Sequence, residues 1–178
     1  TLANCYHFQE KHVQAANLHS AVLERQLELM PTDVTHKASV ESHEHFMESM
    51  RDVAISYLAK NSMEAALIIL KKIQELNVRT FGLYNPRSIN SQCDLAMFYC
   101  AANTLDLAES AIKDLVEAFY QLAGPKSEDA VIWKKNLGSL YARHQKLEEA
   151  EREFNDCLAI LRQRNYDDSH PDVAETLK

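Results

Sequence analysis

Leu137-Gly138-Ser139-Leu140-Tyr141, followed across the break His144-Gln145-Lys146 by Ala150-Glu151-Arg152-Glu153-Phe154, is the stretch that decides the fold. Leu137 and Tyr141 are apolar at i, i+4, which places them on one face of a helix, while Gly138 offers a surface without a side chain that a neighbouring helix can approach. In the second segment Ala150 is the small residue, and Phe154, Leu158 and Leu161 continue the apolar stripe.

The pattern returns 42 residues upstream as Leu95-Ala96-Met97-Phe98-Tyr99 with Ala108, Ile112, Leu115 and Phe119. It returns again, 42 further upstream, as Val53-Ala54-Ile55-Ser56-Tyr57 with Ala66, Leu70 and Ile73. A looser copy opens the chain as Leu2-Ala3-Asn4-Cys5-Tyr6 with Ala15, His19 and Val22. Tyr6 precedes Tyr57 by 51 residues, so nine extra residues fall between Met30 and Phe46, as loop or as a longer start to the next helix. A period of about 40 residues carrying two amphipathic patterns marks a helical solenoid, whose units bury their apolar faces against their neighbours.

Punctuation agrees with the period. Asn85-Pro86, Gly124-Pro125 and His170-Pro171 each couple a helix stop to a residue suited to a helix start, and Pro31-Thr32-Asp33 ends the first copy, with Asp33 or Thr35 as the next cap. The expected organisation is one array of four repeats, 1–30, 36–82, 86–124 and 127–168, with the start of a fifth at 171–178. Both ends lack polar capping units, so the chain is expected to be an excerpt of a longer protein.

Composition supports an all-α chain. Its 178 residues are 46% apolar and 25% charged, with only three glycines and four prolines, so strand punctuation and a phosphate-cradling glycine loop are missing. The net charge of −7 is spread without a basic run, which argues against nucleic acid as a partner. No apolar stretch is long enough to insert in a membrane, and Thr1 to His7 have neither region of a signal peptide, so a cytoplasmic location is expected. Cys93 and Cys100 would stand about 10.5 Å apart on one helix, too far for a disulfide, and Cys5 and Cys157 fall on apolar stripes.

These motifs resemble the tetratricopeptide repeat, which carries Leu-Gly-x-x-Tyr in its first helix and Ala-x-x-x-Phe in its second. The 42-residue period and the junction His170-Pro171-Asp172-Val173-Ala174-Glu175-Thr176-Leu177 look like the longer-helix repeats of kinesin light chains and nephrocystin-type proteins. The resemblance implies an all-α, right-handed superhelical solenoid of antiparallel helix pairs. It also implies a non-enzymatic, cofactor-free adaptor or scaffold that binds peptide segments of partner proteins in a groove lined by first helices. Ala for Gly in three first helices, and His19 at a position where Phe or a large aliphatic is usual, depart from the pattern.

On that reading the peptide-binding residues are Arg51, Ile55, Leu58, Asn90, Cys93, Met97, Cys100, Lys135, Asn136 and Arg143, with Glu48, Ile132 and Ser139 on the same faces. Ile55, Leu58, Cys93, Met97 and Cys100 make an apolar, polarisable floor. Arg51, Lys135 and Arg143 supply cations, so the expected ligand is an acidic segment with one apolar or aromatic anchor. Asp52 and Asp94 offset part of that charge and stand against a carboxylate clamp built on Lys135 and Asn136. The alternative is a structural spacer or self-association module, a homo-oligomer with an empty groove. Trp133 is either a packing residue or a groove anchor.

Eight histidines prompt a search for metal ligands, and His36, His43 and His45 are the densest group. On a helix His43 and His45 point to different faces, and no cysteine or carboxylate completes a zinc set, so a solvated linker is the expected role and no metal site is assigned. Cys157 with His144, or Cys5 with His7, has no local motif supporting nucleophilic chemistry.

Overall fold

The computed structural model describes residues 12–29, 37–124, 126–167 and 170–177. The first copy's Leu2 to Tyr6, the caps Asp33 and Thr35, and His7, His36 and Lys178 lie outside them. Among the described residues eight helices follow in order: α1 His12–Leu29, α2 Lys37–Ala59, α3 Met63–Phe81, α4 Pro86–Ala101, α5 Leu105–Ala123, α6 Glu128–Arg143, α7 Leu147–Gln163 and α8 Pro171–Thr176. The described residues contain no strand. They group into two compact units, residues 1–95 and 96–178.

The turns inside each helix pair are periodic. Asn61, Asn103 and Gln145 take left-handed conformations, with φ of 58°, 55° and 61°. Each follows a repeat tyrosine by four residues, and the next residue's N–H returns to that tyrosine's carbonyl: Ser62 to Tyr57 at 2.9 Å, Thr104 to Tyr99 at 3.1 Å, Lys146 to Tyr141 at 3.0 Å. These bonds satisfy carbonyls that the helix end orphans, and the tight reversal sets consecutive helices antiparallel.

Between pairs, Gly82 (φ +86°) and Gly124 (φ +80°) end α3 and α5, donating to the carbonyls of Val78 and Tyr120 at 2.9 Å. Asn85 Oδ1 accepts from Arg87 N at 3.0 Å and Ser127 Oγ from Ala130 N at 3.4 Å, opening α4 and α6. The surplus before the second repeat is helix, at least in part. Pro86 and Glu128 each start 13 residues before their tyrosine, whereas Lys37 starts 20 before Tyr57, so α2 gains about two turns.

In unit 1, α1 and α2 pack on α3. Tyr57, Ala54, Ala66, Ile69 and Leu76 are fully buried there. The unusual His19 has a reason: its Nδ1 lies 3.1 Å from the Tyr57 hydroxyl, a polar partner that Phe would not supply. Val22, expected on the apolar stripe, is instead exposed.

In unit 2, α6 packs on both α5 and α7, and α8 adds to α7. Ala108 and Ala150 are buried where helices approach, Tyr99 and Tyr141 are buried beside them, and Leu137, Leu140, Leu161 and Val173 fill the interior. Gly138 meets Phe154 so closely that an added Cβ would stand 2.8 Å from the ring. Cys157 is fully buried and donates to the Val131 carbonyl at 3.6 Å; burial pushes its thiol up to about 12, the opposite of what a nucleophile needs. Tyr166 stacks on His170 with ring centroids 3.8 Å apart.

His43 and His45 are helical, which corrects the linker reading. They do face different ways: His45 is exposed beside Glu48, and His43 is buried. Burial first, then the Arg87 cation, hold the His43 pKa below its ordinary 6.5. The unfolded chain therefore takes up a proton at this position at higher pH than the folded one. His43's contribution to stability is complete above pH 6.5 and is lost as pH falls from there through the folded value. Urea midpoints measured from pH 7.5 down to 5 are expected to fall in the wild type, and to fall less steeply in His43→Phe.

Candidate functional site

The anticipated site residues fall on two faces, one in each unit. In unit 1, Ile55 and Leu58 are exposed on α2, Asn90 is exposed on α4, and Cys93 is half-buried. Arg51 is not an uncommitted cation: its Nε donates to Asp94 Oδ2 at 2.7 Å. Burial raises the Asp94 carboxyl above its ordinary value, and Arg51 opposes that rise.

In unit 2 the face is built on α6. Ile132, Asn136, Ser139 and Arg143 recur at helical spacing, so one exposed stripe carries all four. Met97 and Cys100, from the end of α4, stand across from it. Together with Trp133 and Leu140 they enclose a groove of about 350 Å³ with Asn136, Ser139 and Arg143 on its wall. Met97 is 54% exposed, an unbranched apolar chain left in water. Trp133 is buried, as a packing residue would be, and borders this groove. Asn136 and Ser139 also line a second, wider groove of about 870 Å³, whose apolar members include Ile132, Leu147, Phe154 and Leu177.

The cations of this face are also engaged. Lys135 Nζ lies 3.8 Å from Asp172 Oδ1, and Arg143 donates to the Cys100 carbonyl at 3.3 Å. Asp172 thus offsets Lys135, while the Cys100 carbonyl holds Arg143 without cancelling its charge, and around them lies apolar surface rimmed by hydrogen-bonding groups. Burial raises the Cys100 thiol and Arg143 opposes the rise, so it is not an activated nucleophile. Cys93, Cys100 and Cys157 form no disulfide. Among the described residues no group of three or more His, Cys, Asp or Glu could hold a metal ion, and no helix is long and apolar enough to cross a membrane.

Sequence reasoning missed a polar cavity in unit 1 of about 100 Å³, lined by His43, Asn77, Phe81 and Arg87 as well as Arg51 and Asn90. No motif signals it, because its members come from three helices and meet only when those pack.

Helix pairs with left-handed turns at a 42-residue period, small residues at the close approaches and exposed apolar surface on first helices define a helical-repeat protein. Residues 87–163 match the family model of the tetratricopeptide repeat, and that segment consists of such repeats, as its motifs imply. The same fold extends over the chain. BtubC (BKLC) from P. vanneervenii superposes with a TM-score of 0.62 at 20% identity, over 98% of this chain and 66% of that one. A Podosopora anserina protein assigned as a kinesin light chain, with nearly identical TPR-like repeats, superposes with a TM-score of 0.64 at 18% identity, over 98% of this chain and 78% of that one. This chain thus spans just under two thirds of BtubC. No curated protein sequence matches it. Tetratricopeptide repeats in general mediate protein–protein interaction and form non-enzymatic scaffolds.

Proposed function

We propose that this chain is a cytoplasmic adaptor module that binds a segment of a partner protein on the α6 face of unit 2, in transport or complex assembly. The observation that carries this is Met97, more than half exposed at the mouth of a groove of about 350 Å³ that Trp133 backs. An apolar or aromatic side chain of the partner inserts there and is desolvated. Asn136, Ser139 and Arg143 bond to the polar atoms around it. Because Lys135 and Arg143 already have partners, acidic residues in the segment add less affinity than the anchor does.

Fluorescence-labelled peptides carrying one Trp, Tyr or Leu, with and without flanking acids, test the reading. Met97→Glu is expected to weaken the best binder about tenfold or more with helical content unchanged, and Arg143→Gln to weaken it less. Affinity untouched by Met97→Glu would move binding elsewhere. Self-association through the wider groove is the second reading, favoured by exposed Ile132, Leu147 and Leu177. It predicts concentration-dependent mass that Leu147→Glu abolishes.

A further inference from the structure

We infer that the cavity of about 100 Å³ in unit 1 is a subsite for a primary carboxamide, the group carried by Asn and Gln side chains. The starting point is His43, only 6% exposed, whose Nε2 lines no hydrogen bond within the protein. A buried polar atom without a partner is costly, so such an atom marks where a partner belongs. The ring is held in place: Phe81 meets it edge-on with centroids 5.5 Å apart, and the Arg87 guanidinium sits 5.1 Å over the Phe81 ring. Arg87 is fixed in turn by Glu44, with Nε 2.7 Å from Oε1.

Charge selects the ligand. The cavity is bordered by two cations, Arg51 and Arg87, and two anions, Glu44 and Glu48, and Asp94 closes on Arg51 from outside. A carboxylate entering would face three acids and find both guanidinium groups already matched, by Asp94 and by Glu44; an ammonium would face the two guanidinium groups, and the one acid left over, Glu48, is 67% exposed to water. A neutral group that both donates and accepts meets no such penalty. A primary carboxamide offers two N–H donors and a carbonyl in one plane. It can bond the His43 ring nitrogen while exchanging bonds with the carboxamides of Asn77 and Asn90, which both line the space. The volume of about 100 Å³ suits a group of a few heavy atoms.

This inference stands apart from the α6 face, with different residues in the other unit, so either can fail alone. The test uses the whole 178-residue chain labelled with 15N at histidine, with the His43 signal assigned by its loss in His43→Phe. Acetamide is titrated while the ring nitrogens are observed, with acetate and N,N-dimethylacetamide as comparisons. The expected result is a saturable shift of His43 Nε2 with acetamide only, its apparent affinity falling about five- to tenfold in Asn90→Ala. N-acetylglutamine methylamide should reproduce the shift if a side chain is the source. No saturable shift would mean that the cavity holds water alone and would overturn the inference. Equal response to acetate would make it an anion site, and equal response to dimethylacetamide a general cosolute effect; each also overturns it.

Discussion

Lys134→Met is expected to destabilise unit 2 by about 2–3 kcal/mol, whereas Lys134→Met combined with Glu153→Leu should stay within about 1 kcal/mol of wild type. The Lys134 ammonium lies 2.8 Å from Glu153 and 3.0 Å from Asp156, and the Lys134 and Glu153 side chains are only 13% and 15% exposed. Burial opposes the charged lysine, but the bonds to Glu153 and Asp156 outweigh it and raise its pKa well above the ordinary lysine range. Removing the ammonium leaves Glu153 confined without a counter-charge, and that uncompensated anion is the source of the loss. Taking away both charges removes the desolvation cost along with the attraction, which is why the double replacement is tolerated. Because Asp156 is 56% exposed, Asp156→Asn should cost no more than an ordinary surface pair, about 0–1 kcal/mol. Urea unfolding of the four proteins at pH 7 measures all three. A double variant as unstable as Lys134→Met would show that the pair is not what sets the loss.

At Gly138, replacement by Leu is expected to cost about 2–3 kcal/mol while Ala stays within about 1 kcal/mol of wild type. An added Cβ would approach Phe154 Cε1 to 2.8 Å and Cζ to 2.9 Å, inside any contact real side chains keep. Those atoms are the far end of a ring that lines the open groove of about 870 Å³, so for a single methyl the ring can yield. The better helix propensity of Ala, about 1 kcal/mol, offsets that shift. Leucine's branch needs the volume the ring occupies, and displacing the ring forfeits its packing between α6 and α7. Phe154→Ala makes room for it, so the double variant should be more stable than the two single losses added together, by more than about 1 kcal/mol. Additive losses would mean that Gly138 is kept for some reason other than this contact.

The fold was legible because its signals are local and repeat. Tyr57, Tyr99 and Tyr141 are buried as their spacing requires, Ala66, Ala108 and Ala150 sit at close approaches, and Gly82 and Gly124 end helices with positive φ. The left-handed Asn61, Asn103 and Gln145 share the period, and Asn favours that conformation, yet only the break around Gln145 was read from the sequence. The proposed face was legible in part. Helical spacing alone puts Ile132, Asn136, Ser139 and Arg143 on one stripe, and the exposure of Ile55 and Met97 follows from the same geometry.

What spacing could not reveal is pairing across helices. Lys135 meets Asp172 from α8, 37 residues away, and Arg51 meets Asp94 from α4, 43 residues away. The cations looked uncommitted in the sequence because their partners lie in other helices. His43 was misread for the same reason: its burial depends on Phe81 and Arg87, which arrive from α3 and α4.

The chain's five methionines, Met30, Met47, Met50, Met63 and Met97, allow the central claim to be tested in one spectrum. With 13C-methyl methionine, titration of the best-binding peptide from the anchor screen should shift the Met97 methyl saturably, at the same affinity that anisotropy reports. Met63, exposed in unit 1, should stay in place. Binding that saturates while the Met97 methyl does not move would contradict a partner site on the α6 face.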